Sequence, residues 1–266
     1  VAAFDTVKNI FWVILIGSLI WSFAQNKIIN QKRADLIHQI ELKRHSKVIT
    51  LIHRQETVGF FGVPIKQYIQ MEDAEAVLRT IREIPDDQTI DIIVHTPGGM
   101  LLPAYQIAKA LKDHKGKVTA FIPHHAMSGG TLIALAADEI VMDRNAVLGP
   151  VDPQLNNGKI TVPAVAVLKT PELKSWDQIS DNTLIMIDQA EKAINQVKQY
   201  VKYLLQGDPE KKVNGIIARL VTGQVTHDYP VFFNEARKLG LPVSDKMPKL
   251  VYKLMNLYPQ PSKRKY

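Results

Sequence analysis

The sequence reads as an α/β protein built on a parallel sheet, and three features carry that reading. From Val48 onward, short apolar runs of strand character alternate with amphipathic runs of helical period. Two of the strand-like runs end in glycine pairs, Gly98-Gly99 and Gly129-Gly130, and each pair leads into a helix-like run. Hydrophobic residues make up 46% of the 266 and charged residues 22%, the balance of a folded chain with a sizeable core. The β-α alternation implies parallel pairing through right-handed crossovers, and such sheets place their sites beyond the carboxyl ends of the strands.

Taken in order, the chain begins with an apolar stretch. Ile10 to Ala24 carries no charge, though it is somewhat shorter than the roughly 20 residues that span a bilayer. Trp12 and Trp21, with Asn9 and Gln25 at the ends, suit a membrane anchor over residues 1–26. Ser22-Phe23-Ala24 also fits a small-x-small signal-peptide cleavage site, and a buried or interfacial helix is a further reading. The flanks favour the uncleaved anchor. Before it stand Asp5 and Lys8; after it come Lys27, Lys32, Arg33, Lys43, Arg44 and Lys47 against Asp35 and Glu41. The positive-inside rule then expects a single-pass protein with its bulk in the cytoplasm. Residues 27–46 read as an amphipathic linker helix, with Ile29, Leu36, Ile37 and Ile40 on one face.

The globular pattern fills residues 47–245. Val48–Ile52 reads as a buried strand, 56–69 as a loop, and Met71 to Ile84 as a helix ended by Pro85. Thr89–Val94 is a strand, Leu101–Lys112 a helix, Val118–Ile122 a strand, Thr131–Ala137 a helix and Ile140–Met142 a short strand. A Pro-rich loop follows over 145–153, then a turn at Asn156-Asn157-Gly158 and an expected strand from Ile160 to Leu168. Helices are expected over Asp181–Leu205, Glu210–Leu220 and Phe232–Leu239, with a basic surface tail over 246–266.

Ser128 stands at a strand-to-helix turn that lifts its hydroxyl clear and points amide N–H groups the same way, the geometry an acyl-transfer nucleophile needs. An ordinary serine N-cap would look the same in isolation. The second glycine turn, His95-Thr96-Pro97-Gly98-Gly99-Met100, shifts the balance, because its backbone can present an unobstructed donor.

With no cysteine, disulfides, thiolate catalysis and Cys-ligated zinc are excluded. No His/Asp/Glu set has metal-ligand spacing and no dinucleotide fingerprint follows a strand, so no cofactor is expected. The net charge of +7 comes with no RNA-binding aromatic motif; a membrane surface is the expected partner, not nucleic acid.

HTPGG at 95–99, AMSGGTLIALAADEIVMD at 126–143, GPVDPQ at 149–154, THDYP at 226–230 and EARKLGLPV at 235–243 together resemble the Clp-protease/crotonase superfamily. Within it the match is to the membrane-associated signal-peptide-peptidase A branch, and most closely to the serine dehydrogenase proteinase family. The resemblance spans about 48–243. It implies a ββα superhelix, here with an N-terminal transmembrane helix, that assembles into homo-oligomeric rings or stacked trimers. It also implies serine peptidase chemistry, with Ser128 as nucleophile and the Gly99 and Gly129 amides as oxyanion hole. Clp-type relatives carry a histidine in the segment that here reads Leu148-Gly149-Pro150-Val151, and this chain has none there. Signal-peptide-peptidase relatives use a downstream lysine, which makes Lys169 the first candidate base, followed by Lys174 and Lys159. The apolar run Ala164 to Leu168 is expected to bury Lys169 and lower its pKa. His125 and His227 are the alternative bases, and Asp152 either orients a base or caps a turn. The expected function is a membrane-anchored serine endopeptidase acting on membrane-derived or hydrophobic peptides. A CoA-thioester enzyme and a non-catalytic oligomeric scaffold are the competing readings.

Overall fold

The computed structural model describes residues 2–54, 67–156, 158 and 160–258, with the side chains of residues 2–11, 13, 14 and 22 outside that description. A single helix, α1 (Ala2–Arg44), covers both the expected anchor and the expected linker. No proline interrupts that stretch, and its one glycine, Gly17, is tolerated. Among the described residues, no helix is long and apolar enough to cross a membrane. The expected span from Ile10 to Ala24 lies partly outside those residues.

A parallel α/β unit follows. Its elements are β1 (Ser46–Ile52), α2 (Met71–Glu83), β2 (Thr89–His95), α3 (Leu101–Asp113), β3 (Val118–Ile122), β4 (His125–Ala126), α4 (Gly129–Ala134) and β5 (Glu139–Met142). The main sheet runs β1-β2-β3-β5-β10, where β10 is Val243–Ser244, and every pairing in it is parallel. Strand alternation sorts the side chains onto two faces. Ile92, Val94, Ala120, Ile122, Ile140 and Met142 join the larger core with α2, α3 and α4. Ile93, Phe121 and Val141 face the other way, onto Ile40 of α1 and onto α10 (Lys249–Met255). The expected apolar face of the linker is therefore the one that docks, through Leu36, Ile37 and Ile40. Arg44, at the end of α1, grips the fully buried Asp91 of β2 with Ser46, so the carboxylate is neutralised in place.

Two departures from the sequence reading matter. The run expected as a strand from Ile160 to Leu168 splits into β8 (Thr161–Pro163), which pairs with β7 (Gln154–Asn156), and the helix α5 (Ala164–Leu168). Its Ala-Val alternation imitates a strand, but Pro163 supplies a helical N-cap and Ala164 and Val167 share one buried face three residues apart. The expected surface tail contributes α10, with Val251, Leu254 and Met255 buried, while 259–266 lie outside the described residues. The remaining helices are α6 (Thr170–Leu173), α7 (Asp181–Leu204), α8 (Glu210–Leu220) and α9 (Phe233–Lys238).

A second sheet of three short strands sits at the carboxyl ends of the first. Its order is β4-β6-β9, with β6 at Val147–Leu148 and β9 at Val231–Phe232. β4 pairs parallel to β6, and β6 antiparallel to β9. Ala126, Leu148 and Val231 form one row across it.

Candidate active site

That row determines what meets beyond it. Because β9 runs opposite to β4 and β6, the residues after β4, after β6 and before β9 emerge at the same end of the small sheet. They are Met127-Ser128, Gly149 to Pro153, and His227 to Pro230.

Ser128 is the N-cap of α4, yet its side chain makes no capping hydrogen bond. Its backbone has φ 50° and ψ −116°, a conformation that costs a non-glycine residue about 1–3 kcal/mol and is retained only where surroundings enforce it. The enforcement is steric. Gly98, at φ 106°, lies so close that a Cβ there would meet the Ser128 Cβ at 2.7 Å. A Cβ on Gly129 would meet the Ala104 Cβ at 2.8 Å, and one on Gly130 the Thr96 Cγ2 at 2.6 Å. The glycine pairs of the two turns let their backbones interlock.

The segment before α2 forms a strap along the first turn. Ile69 N–H donates to Gly98 C=O at 2.8 Å, and Met100 N–H donates to Ile69 C=O at 2.9 Å. In this parallel bridge Gly99 lies opposite Ile69, so its own N–H points away from the strap. A Cβ built on Gly129 would come within 3.8 Å of that Gly99 nitrogen. The Gly129 N–H belongs to the first turn of α4, which has no helical acceptor for it. The two amides thus lie close together at the Ser128 turn.

Asp152 is held at the opposite wall. Its side chain is 2% exposed, and its Oδ1 lies 2.8 Å from His227 Nδ1. Gln154 Nε2 donates to Asp152 Oδ2 at 2.7 Å. A carboxylate only accepts, so His227 must carry its proton on Nδ1, which leaves Nε2 as the basic nitrogen. Ser128, Asp152 and His227 all line one cavity of about 530 Å³, together with Gly99, Gly129 and an apolar wall that includes Leu132, Val151 and Val197.

Residues 2–266 match the family of ClpP-like SDH-type serine proteinases. The chain belongs to that family. Two uncharacterized proteins of Methanocaldococcus jannaschii are each 48% identical to it. One match covers 97% of this chain and 90% of the relative, the other 86% and 77%. Among solved structures, the 1510-N membrane-bound stomatin-specific protease is similar at 21% identity and a TM-score of 0.46, covering 70% of this chain and 79% of that one. ClpP1 from Listeria monocytogenes is similar at 16% identity and a TM-score of 0.46, covering 76% and 94%.

Within this ClpP-like architecture the sequence-derived base candidates separate. Lys169 sits exposed at the junction of α5 and α6, and Lys174 is exposed at the end of α6; neither lines the Ser128 cavity. Lys159 lies outside the described residues. His125 belongs to β4 and packs its ring against His95, with centroids 4.1 Å apart. Among the described candidates, His227 alone both lines the cavity and holds a carboxylate.

Sequence reasoning placed Asp152 and His227 in separate motifs without joining them. The signal was the position of GPVDPQ just after one short strand and of THDYP just before another. It missed the Ile69 strap, which lies at the end of a segment read only as loop.

A histidine cluster stands behind the two turns. His95 is 3% exposed, and burial, followed by the neighbouring His125, Arg54, His124 and His53, pushes its pKa down to about 2. Among the described residues no group of three or more His, Cys, Asp or Glu is arranged to hold a metal ion.

Proposed function

We propose that this chain is a serine endopeptidase in which Ser128 is the nucleophile, His227 the general base, Asp152 its orienting carboxylate, and the Gly99 and Gly129 amides the oxyanion hole. The observation that carries this reading is the shared cavity of Ser128 with the hydrogen-bonded His227–Asp152 pair. His227 Nε2 takes the Ser128 proton as Oγ attacks the scissile carbonyl, and returns it to the leaving amine. Asp152 fixes the tautomer and stabilises the imidazolium. The oxyanion of the tetrahedral intermediate falls to the two amides, which need no rearrangement to receive it. Water then repeats the sequence on the acyl-enzyme. In this reading His227, before β9, takes the place of the histidine that Clp-type relatives carry after β6, and that weighs against a non-catalytic scaffold. The apolar cavity wall favours a hydrophobic side chain beside the scissile bond.

The substrate source we propose is membrane-derived peptide, with α1 as the attachment. Trp12, Ile16, Leu19, Ile20, Trp21 and Phe23 are exposed on that helix, and the basic residues from Lys27 follow them. The chain is expected to act as a homo-oligomer with its proteinase domain cytoplasmic. A fluorophosphonate probe tests the chemistry: Ser128 should label in the full chain, and His227→Ala should abolish labelling. Labelling elsewhere, or CoA binding without labelling, would overturn the proposal.

A further inference from the structure

The Gly98–Gly99 turn is held from behind by buried polar groups that acyl transfer does not touch. The Thr96 hydroxyl, on a residue with no exposed surface, accepts from Gly98 N–H at 3.2 Å and donates to Gly98 C=O at 3.3 Å. His53 Nδ1 is 2.9 Å from the same hydroxyl. The other ring nitrogen, Nε2, faces Asp73 Oδ1 at 3.3 Å, with the His53 side chain 8% exposed. The second oxygen of Asp73 accepts from Gln70 N–H at 2.8 Å, and Gln70 adjoins Ile69 of the strap.

We propose that Asp73, His53 and Thr96 are positioning residues that set the oxyanion-hole amide of Gly99, by fixing its turn from both sides at once. This rests on the reading of Gly99 as an oxyanion donor. Asp73 reaches the turn by two routes: through Gln70 and Ile69 to the Gly98 carbonyl, and through His53 and Thr96 to the Gly98 amide. The Thr96 hydroxyl donates its single proton to Gly98 C=O, the carbonyl of the peptide that carries the Gly99 amide, and His53 Nδ1 lies 2.9 Å from the same hydroxyl. His53 Nε2 in turn stands 3.3 Å from Asp73 Oδ1. The Thr96 oxygen keeps its lone pairs for Gly98 N–H. Removal of the hydroxyl therefore takes a partner from His53 Nδ1 and from both the amide and the carbonyl of Gly98. Rotation of the 98–99 peptide is the cheapest relief, and it moves the amide that must meet the oxyanion.

The test uses the full chain and a peptide it cleaves, with three variants. Thr96→Val keeps the shape and removes the hydroxyl, Thr96→Ser restores it, and Asp73→Asn removes the acceptor at the far end. Thr96→Val should lower kcat by about 10- to 100-fold with KM nearly unchanged. It should weaken a peptide aldehyde, whose hemiacetal oxygen occupies the hole, by the same factor. Binding of the uncleaved peptide, measured in the Ser128→Ala background, should stay level. Thr96→Ser should recover most of the loss, and Asp73→Asn should reproduce part of it. Equal weakening of aldehyde and uncleaved peptide, or wild-type kcat in Thr96→Val, overturns the relay. If Thr96→Val does not fold, Asp73→Asn decides: unchanged kcat and aldehyde affinity there overturn it. Failure of the wild-type Ser128 to label with fluorophosphonate is a separate result, which overturns the peptidase reading and the relay with it.

Discussion

Strands β1 and β2 of the main sheet are seven residues long, while β4, β6 and β9 of the small sheet are two residues each. β2 is buried on both faces and β1 largely on one, and together they carry much of the core. The short ones bury little, and they borrow their register from the main sheet through Thr96 N–H to His125 C=O, Met127 N–H to Thr96 C=O and Val147 N–H to His124 C=O. Yet Ser128, Asp152 and His227 all hang from the short strands. The core and the candidate site therefore sit on different sheets, and a small sheet spliced onto rigid strand ends can hold three distant segments in register at little cost in core.

The largest effects should come from the small-sheet end. Ser128→Ala and His227→Ala should each lower peptide hydrolysis by several orders of magnitude, and Asp152→Asn by about 10⁴-fold, because its amide stabilises the wrong histidine tautomer. The Ser128–His227 double variant should be little worse than either single one, since the residues act as a unit. Thermal unfolding should barely change in Ser128→Ala, while His227→Ala should lower it, because it leaves the buried Asp152 carboxylate without its histidine. Ser128→Gly should even gain stability of about 1 kcal/mol, because glycine adopts φ 50° without strain. Multiplicative losses in the double variant would separate the two residues and break the comparison.

Next in size is a core effect with the opposite signature. Ile92 is fully buried in β2, so Ile92→Ala should cost about 2–5 kcal/mol of unfolding free energy while kcat per folded molecule stays near wild type. The corresponding change in the small sheet, Leu148→Ala, should lower both, because Leu148 stands in the row that aligns Ser128, Asp152 and His227. Denaturant midpoints and active-site titration on the same samples would test the contrast.

What the sequence made legible follows the same division. The strands Thr89–His95 and Val118–Ile122 and the helices Met71–Glu83 and Glu210–Leu220 are long and periodic enough to announce themselves, and they stand within a residue or two of their expected limits. Two-residue strands have no period to read. Ser128 was visible because glycines had to flank it. His227 was legible only as an alternative base and Asp152 only as an orienter or turn cap, unconnected to each other, since what joins them is the pairing of β6 with β9 across more than eighty residues of chain. Lys169 stood out for the apolar run before it, but that run is a helix with its buried face at Ala164 and Val167, and the lysine emerges on the exposed side.

A smaller effect belongs to the hinge between the sheets. His95 ends β2, and its folded pKa of about 2 lies below the ordinary 6.5. Between those values the unfolded chain binds a proton at this residue that the folded chain does not. Stability therefore falls as pH drops from about 6.5, by roughly 1.4 kcal/mol per unit at most from this group. His95 Nδ1 is buried with no hydrogen-bond partner among the described residues, so His95→Leu removes an unsatisfied group. The variant should flatten the acid limb of the stability curve by about one proton. An unchanged slope between pH 4 and pH 6 in urea titrations would show that His95 is already protonated in the folded protein.

The smallest expected effect is at Lys169. An exposed side chain at a helix junction contributes within about 0.5 kcal/mol to stability, so Lys169→Ala should unfold with the wild type. Its effect on turnover separates two mechanisms. A lysine base must be neutral at working pH, which requires desolvation, and exposure at the α5–α6 junction supplies none. If His227 is the base, Lys169→Ala retains kcat and kcat/KM near wild type. If the lysine is the base, turnover collapses as far as in Ser128→Ala, and the Lys169–Ser128 double variant is no worse than either alone. The outcome depends on whether α5 and α6 move against the small sheet when a peptide fills the cavity. A kcat loss of more than about 100-fold in a folded Lys169→Ala protein would mean that they do, and would return the general base to the lysine.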